Sequence, residues 1–351
     1  MCNIAGYAGE RAAAPILIEM LRKEEGFDGG FYTGIATVHE GKIHYRKVTG
    51  DLDTLLRKTD AATLPGTVGI IHSRTKSGGP DAWSHPFVSS GKLGNEPSIA
   101  YVANGNSGIF KARDPEYNLL AERLISEGYR MDSEIELEDG IYNRLSNGKM
   151  VHMSDVMCSL IAKEIDLGKE CDTAMAEAFC SMPGDIVGLL ISLSAPDRIF
   201  WSKISRPMTV SFASHGAYMA TTSMAFPSDA KTLPVKLPVL SSGYVRKDSY
   251  EAKRYENPPA EVRCATLSEI SKIYSLIESA LSDGKARHLY EIHAITREVL
   301  PALSDKVATY TQASYEVLEA LYSEGRLEII KERTEAVNEN ETAPYFKFKL
   351  K

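Results

Sequence analysis

Four residues of this 351-residue chain have types and settings suited to chemistry: Cys2, Arg74, Asn104 and Asp155. Cys2 stands directly behind Met1 in Met1-Cys2-Asn3-Ile4-Ala5-Gly6-Tyr7. Methionine before a small residue is a substrate for Met aminopeptidases, so the expected mature N-terminus is Cys2 itself. An α-amine with a pKa of about 7.7–8.0 would then sit on the same residue as a thiol with a pKa of about 8.5. Such an amine can take the thiol's proton and return it to a leaving group. Taken alone, Cys2 is equally well read as a small buried apolar residue opening a strand.

The other three lie at the ends of predicted elements. The apolar run Thr67-Val68-Gly69-Ile70-Ile71 predicts a buried strand, and it leads into His72-Ser73-Arg74-Thr75-Lys76-Ser77-Gly78-Gly79-Pro80, with His85-Pro86 beyond. An arginine leaving such a strand can capture a carboxylate with two parallel N–H groups. On an exposed loop its removal would barely move stability. Ile99-Ala100-Tyr101-Val102-Ala103 ends in Asn104-Gly105-Asn106. Asn104 offers an amide donor and Gly105 an unhindered N–H, the components of an oxyanion hole. Ser154-Asp155 opens a predicted helix, where Asp155 could bind an ammonium group or cap the helix. Each has a bland alternative: Asn-Gly is a hairpin signal, Asp a cap, and Arg74 a surface ion-pair residue.

Their order and spacing resemble the glutaminase domain of class II glutamine amidotransferases, a family of N-terminal-nucleophile hydrolases. The similarity is greatest to the glutaminase half of glucosamine-6-phosphate synthases, whose pattern runs Met-Cys-Gly-Ile-x-Gly-Tyr, His-Thr-Arg-Trp-Ala-Thr-His-Gly, His-Asn-Gly and Thr-Asp-Thr-Glu. It covers about the first 250 residues and continues through Gly184–Ile191, Pro196–Phe200, Ser205-Arg206-Pro207 and Gly216–Thr221. The resemblance implies that Cys2 is nucleophile and, through its amine, general base. It implies that Arg74 binds the α-carboxylate of L-glutamine, Asp155 its α-ammonium, and Asn104 with the Gly105 N–H the oxyanion. His85 matches a His-Pro near the family's pocket, with a loop-shaping role as the alternative. Asn3, Thr75, Gly78 and Ala103 depart from the pattern, and Thr75 stands where the family often has tryptophan. Ser133–Met150 reads as an inserted hairpin or loop.

The elements that must position these residues follow from periodicity. Strands are expected near 3–8, 30–38, 42–48, 67–74, 97–104, 186–195, 198–203, 207–212 and 216–222, and helices near 13–24, 114–128, 154–167 and 171–181. The pattern gives an α+β fold; the resemblance implies a four-layer αββα sandwich. Val239–Val245 looks like the last strand, so the amidotransferase domain is expected over 2–247, with 248–260, ending Asn-Pro-Pro, as linker. Residues 261–351 predict three helices, Leu267–Leu281, Ala286–Leu300 and Tyr310–Glu324, then two strands, Arg326–Ile330 and Tyr345–Leu350. That order resembles a winged helix.

Composition bounds the function. No apolar stretch approaches a membrane span, and no signal pattern opens the chain. Five cysteines, Cys2, Cys158, Cys171, Cys180 and Cys264, form no Cys-x-x-Cys pair, which argues for reduced thiols in a cytoplasm and against a zinc site. His288 and His293 lack the spacing of paired ligands on a helix face, and no phosphate-binding glycine motif occurs, so neither metal nor cofactor is expected. From Glu261 to Lys351 there are 15 acidic and 12 basic residues, and Tyr310–Glu324 holds no Lys or Arg. DNA binding needs phosphate neutralisation, so packing or partner docking is the better expectation. Roughly 90 residues cannot hold the synthase's two further domains, so the ammonia acceptor is not visible, and a separate synthase subunit is one candidate. A homo-oligomer is left open. The expected function is glutamine amidohydrolysis; the alternative is a non-catalytic glutamine-binding or regulatory protein whose C-terminal domain is the output.

Overall fold

A computed structural model of the chain describes residues 2–76, 78–137, 144–303, 306–339 and 341–351. Two sheets face each other. The first has seven strands in the order Val235–Lys236, Thr209–Ala213, Gly216–Ala220, Asn3–Gly9, Val68–Arg74, Tyr32–His39 and Lys42–Thr49. The second has six: Tyr250–Arg254, Ser241–Val245, Ile199–Lys203, Asp185–Ser192, Ile99–Asn106 and Phe87–Ser89. Every pairing within these two sheets is antiparallel.

The period of two along each strand assigns its side chains to layers. In the first strand, Ile4 and Ala8 enter the core between the sheets, while Ala5 and Tyr7 enter the core under the helices Ala13–Glu24 and Leu52–Lys58. Gly6 shares the inter-sheet side because a Cβ there would come within 2.8 Å of Ile199 Cδ1. Along Ile99–Asn106, Ala100 and Val102 face the first sheet. Tyr101 and Ala103 face the helices Asp114–Glu127, Met153–Asp166 and Cys171–Ser181. Three cores thus separate four layers, helix, sheet, sheet and helix: the αββα sandwich that the resemblance implies.

Residues 248–260, expected as a linker, are partly sheet. Tyr250–Arg254 pairs with Ser241–Val245 from Ser241↔Arg254 to Val245↔Tyr250. Its exposed Lys253 and Arg254, with half-buried Glu251, give it the charged character of a solvent-facing edge strand, which is why its composition resembles a linker. Ile135 and Met150 form an isolated antiparallel bridge across the expected insertion, whose residues 138–143 lie outside the described residues.

Beyond 261, helices Leu267–Leu281, Leu289–Val299 and Tyr310–Ser323 pack against a hairpin of Leu327–Glu335 and Thr342–Leu350, with Arg287–His288 as a third strand. Phe27 and Met224, from outside residues 261–351, share this core, with the Phe27 ring 5.1 Å from Phe348. The helix Tyr310–Ser323 lies on the sandwich. Its Gln312 accepts a 2.7 Å hydrogen bond from buried Lys203, whose Nζ also donates to Leu237 O. Burial lowers the Lys203 pKa to about 7.

Candidate active site

The register of the central strands brings the chemistry together. Asn3 pairs with Ser73 and Ile4 with His72, so one further step sets Cys2 opposite Arg74. Even-numbered positions here face the gap between the sheets, as Ile4 and Ile70 do. Asn104 faces the same gap from the second sheet, following Ala100 and Val102. The Cys2 N–H donates to Asn104 Oδ1 at 3.1 Å. Cys2 is 8% exposed and Asn104 fully buried, and the Asn104 Nδ2 has no hydrogen-bond partner.

A cleft of about 320 Å³ opens at this point. Five of the six residues singled out in the sequence border it: Cys2, Arg74, His85, Asn104 and Gly105. At Gly105 a Cβ would come within 2.3 Å of Asp185 O, so the neighbouring strand itself excludes a side chain. Asp155 does not border the cleft. It is 1% exposed, and its Oδ2 accepts from the Ser133 N–H at 2.9 Å and hydroxyl at 2.7 Å, while Oδ1 is buried without a partner. Desolvation raises its pKa to about 6 against those two hydrogen bonds. Nor is it the helix cap: His152 Nδ1 accepts from the Ser154 N–H at 3.1 Å in that role.

Arg74 ends its strand at the cleft wall but is not a loop residue. It is 2% exposed, donates to Trp83 O and Gly78 O, and lies 3.9 Å from the Tyr32 ring centroid. Its Nε is buried without a partner. Behind it, buried Glu25 accepts from Ser73 Oγ, Thr33 Oγ1 and the Leu52 N–H, and desolvation carries its pKa to about 8.

Two imidazoles, His85 and His152, line the cleft, and a third, His72, lies against His85. The His72 and His85 rings are tilted by 30° with centroids 3.9 Å apart, and the His152 centroid lies 5.5 Å from that of His85. Burial holds all three pKa values below the usual histidine range, that of His72 at about 3. Both ring nitrogens of His85 are without partners, so a polar group sits ready at the cleft. Among the described residues no cluster has the make-up of a metal site. Sequence reasoning missed His152 and Arg206 as cleft residues. Arg206 pairs with Asp185 Oδ2 at 2.6 Å, and its visible signal was Ser205-Arg206-Pro207. His152 carried none beyond its place before the helix.

Comparison with known proteins bears on the class of this domain. No family profile matches the chain. It is 28% identical over 320 residues to a glutamine–fructose-6-phosphate aminotransferase (isomerizing) of Methanosarcina acetivorans, covering 88% of this chain and 46% of that one. To the enzyme of the same name from Pyrococcus horikoshii it is 26% identical over 231 residues, covering 64% and 33%. For that of Caldanaerobacter subterraneus the figures are 38% over 142 residues, 39% and 21%. The chain thus spans less than half the length of these relatives. Among solved structures, a glutamine phosphoribosylpyrophosphate amidotransferase from B. subtilis superposes with a TM-score of 0.57 at 14% identity, covering 82% of this chain and 60% of the other. An allosteric regulatory enzyme of purine biosynthesis gives 0.58 at 14%, covering 97% and 67%. These likenesses make the N-terminal part of the chain similar in sequence to the glutamine–fructose-6-phosphate aminotransferases and in fold to the amidotransferases. The curated relatives that it matches are enzymes.

Proposed function

We propose that the chain hydrolyses L-glutamine through a Cys2 thioester and releases ammonia. The observation that carries this is the Cys2–Asn104 pairing: the asparagine oxygen holds the nucleophile's main-chain nitrogen and leaves the Nδ2 of the same amide without a partner. With Met1 removed, that nitrogen is an amine able to take the thiol proton. The thiolate adds to the side-chain carboxamide, and Asn104 Nδ2 with the Gly105 N–H holds the oxyanion. The amine gives its proton to the leaving ammonia, and water then hydrolyses the thioester. A separate synthase subunit is one candidate acceptor for that ammonia, in keeping with the acceptor reaction that the relatives carry in their name.

Residues 261–351 act in this reading as a docked winged-helix-like domain and not as a DNA reader. The helix that would enter a groove instead places Gln312 on Lys203 and Glu319 on Lys236.

A non-catalytic glutamine-binding or regulatory role is favoured by Asn3 and Ala103, which depart from the family pattern beside the nucleophile and the oxyanion hole. Glutaminase assays on wild type and Cys2→Ala, beside intact mass spectrometry for loss of Met1, decide between the two. Turnover that vanishes in Cys2→Ala supports the enzyme; equal rates in both proteins refute it. Retained Met1, with no labelling of Cys2 by a glutamine-mimicking electrophile, supports the binding protein.

A further inference from the structure

Glu319 belongs to the C-terminal helix Tyr310–Ser323, yet its carboxylate is engaged wholly by the sandwich. One oxygen accepts from the Thr222 hydroxyl and the Ser223 N–H, each at 2.7 Å, and the other meets the Lys236 ammonium. The side chain is 11% exposed. Thr222 follows directly on Thr221, which grips the nucleophile strand twice. Thr221 Oγ1 accepts from the Ile4 N–H at 3.0 Å, and the Thr221 N–H donates to Ile4 O at 3.0 Å. Ile4 is two residues from Cys2. One turn earlier on the same helix, fully buried Tyr315 stands beside Asn3.

This arrangement matters because a chain-terminal nucleophile is tethered from one side only. Once Met1 is gone, the Cys2 nitrogen can keep its contact with Asn104, and the covalent restraint on Cys2 comes through Asn3 and Ile4. We propose that Glu319 is a positioning residue for Cys2, fixing the Thr221-Thr222 segment across the domain boundary so that the nucleophile strand holds its place. The inference rests on Cys2 being the nucleophile. A misplacement of about 1 Å can cost about 10²-fold in rate, so a contact this far from the chemistry can still govern turnover.

The test uses the full chain with Glu319→Ala, Glu319→Gln, Thr222→Val and Thr222→Ser. Two readouts are taken: glutaminase kcat and KM, and the pH profile of Cys2 alkylation by iodoacetamide, followed by peptide mass. Glu319→Ala should lower kcat by roughly tenfold or more with KM changed by less than about twofold, as expected when transition-state geometry alone is lost. Its alkylation profile should depart from wild type. Glu319→Gln, whose amide oxygen can accept the same two hydrogen bonds, should restore most of the rate. Wild-type kcat and alkylation in a folded Glu319→Ala protein would overturn the proposal, as would a change in KM alone. Should Glu319→Ala fail to fold, the Thr222 pair decides: Val must reproduce the loss and Ser the recovery, and equal behaviour of the two refutes it. A wild type without glutaminase activity would sink the catalytic reading, and the alkylation profiles would still decide on Glu319.

Discussion

The main-chain N–H of Cys2 donates to Asn104 Oδ1 at 3.1 Å, while the Nδ2 of the same amide is buried and unpartnered. One amide therefore has two separable jobs: its oxygen holds the nucleophile and its nitrogen is free for an oxyanion. Asn104→Ala removes both and should lower kcat by about 10²–10³-fold. Asn104→Asp keeps an oxygen for the Cys2 nitrogen and loses the donor, so it should be as slow as alanine with KM little changed. Steady-state kinetics on the two variants check this, and an active Asn104→Asp would remove the oxyanion role.

Arg74 should matter for stability as well as for substrate. Its guanidinium joins Trp83 O and Gly78 O, clamping the 78–83 loop against the strand end. Hydrogen bonds to charged groups contribute about 1.5–3 kcal/mol, so Arg74→Ala should lower the unfolding free energy by about that much in urea titrations. Glutamine KM should rise at the same time, if the fork also meets the α-carboxylate. Lost stability with unchanged KM would leave Arg74 a loop clamp only.

Much of this was legible in the sequence, for a physical reason. Strands buried on both faces, such as Val68–Arg74, carry a short apolar run, here Val68–Ile71, and the helix Cys171–Ser181 lies where its periodicity places it. The helix Leu52–Lys58 was not anticipated, although Asp51 caps it by accepting from the Thr54 N–H at 2.9 Å; seven residues are too few for a clear helical period. Tyr250–Arg254 was taken for linker because an exposed edge strand is as polar as a loop. At the site, Cys2, Arg74, Asn104 and Gly105 could be picked out because each ends or begins a strand. His152 and the burial of Asp155 could not, since both depend on how Ser133 meets the start of the Met153–Asp166 helix, a contact that for Asp155 spans 22 residues of sequence.

The buried imidazoles make acid stability a readout of the site. His72 Nε2 donates to Ala103 O at 3.0 Å, and desolvation, with Arg74 adding to it, lowers its pKa from 6.5 to about 3. The folded protein thus keeps His72 neutral where the unfolded chain protonates it. Stability from this group is intact above about pH 6.5 and falls as the pH drops toward 3, with a slope of about 1.4 kcal/mol per pH unit. His72→Gln, which can still donate to Ala103 O, should flatten the acid limb of the stability curve by that slope. Urea unfolding at pH 4, 5 and 6 checks it, and parallel curves for wild type and variant would refute the assignment.

Asp155 runs in the opposite direction, which lets its roles be separated. Its pKa is raised from 3.8 to about 6, chiefly by desolvation. The unfolded chain therefore gives up this proton first, and stability falls as the pH climbs from about 4 to about 6. A shift of about two pKa units corresponds to about 3 kcal/mol by pH 7. Asp155→Asn removes the titration while its side-chain oxygen can still accept from the Ser133 N–H and hydroxyl. The variant should match wild type near pH 4 and exceed it in unfolding free energy above pH 6. A carboxylate kept at that cost has a use if it meets the α-ammonium of glutamine through Oδ1, the oxygen that Ser133 leaves unpaired. The same variant should then raise glutamine KM tenfold or more, since losing one partner of a buried charge pair costs about 2–5 kcal/mol. A more stable Asp155→Asn protein with wild-type KM would confine Asp155 to holding Ser133 in place.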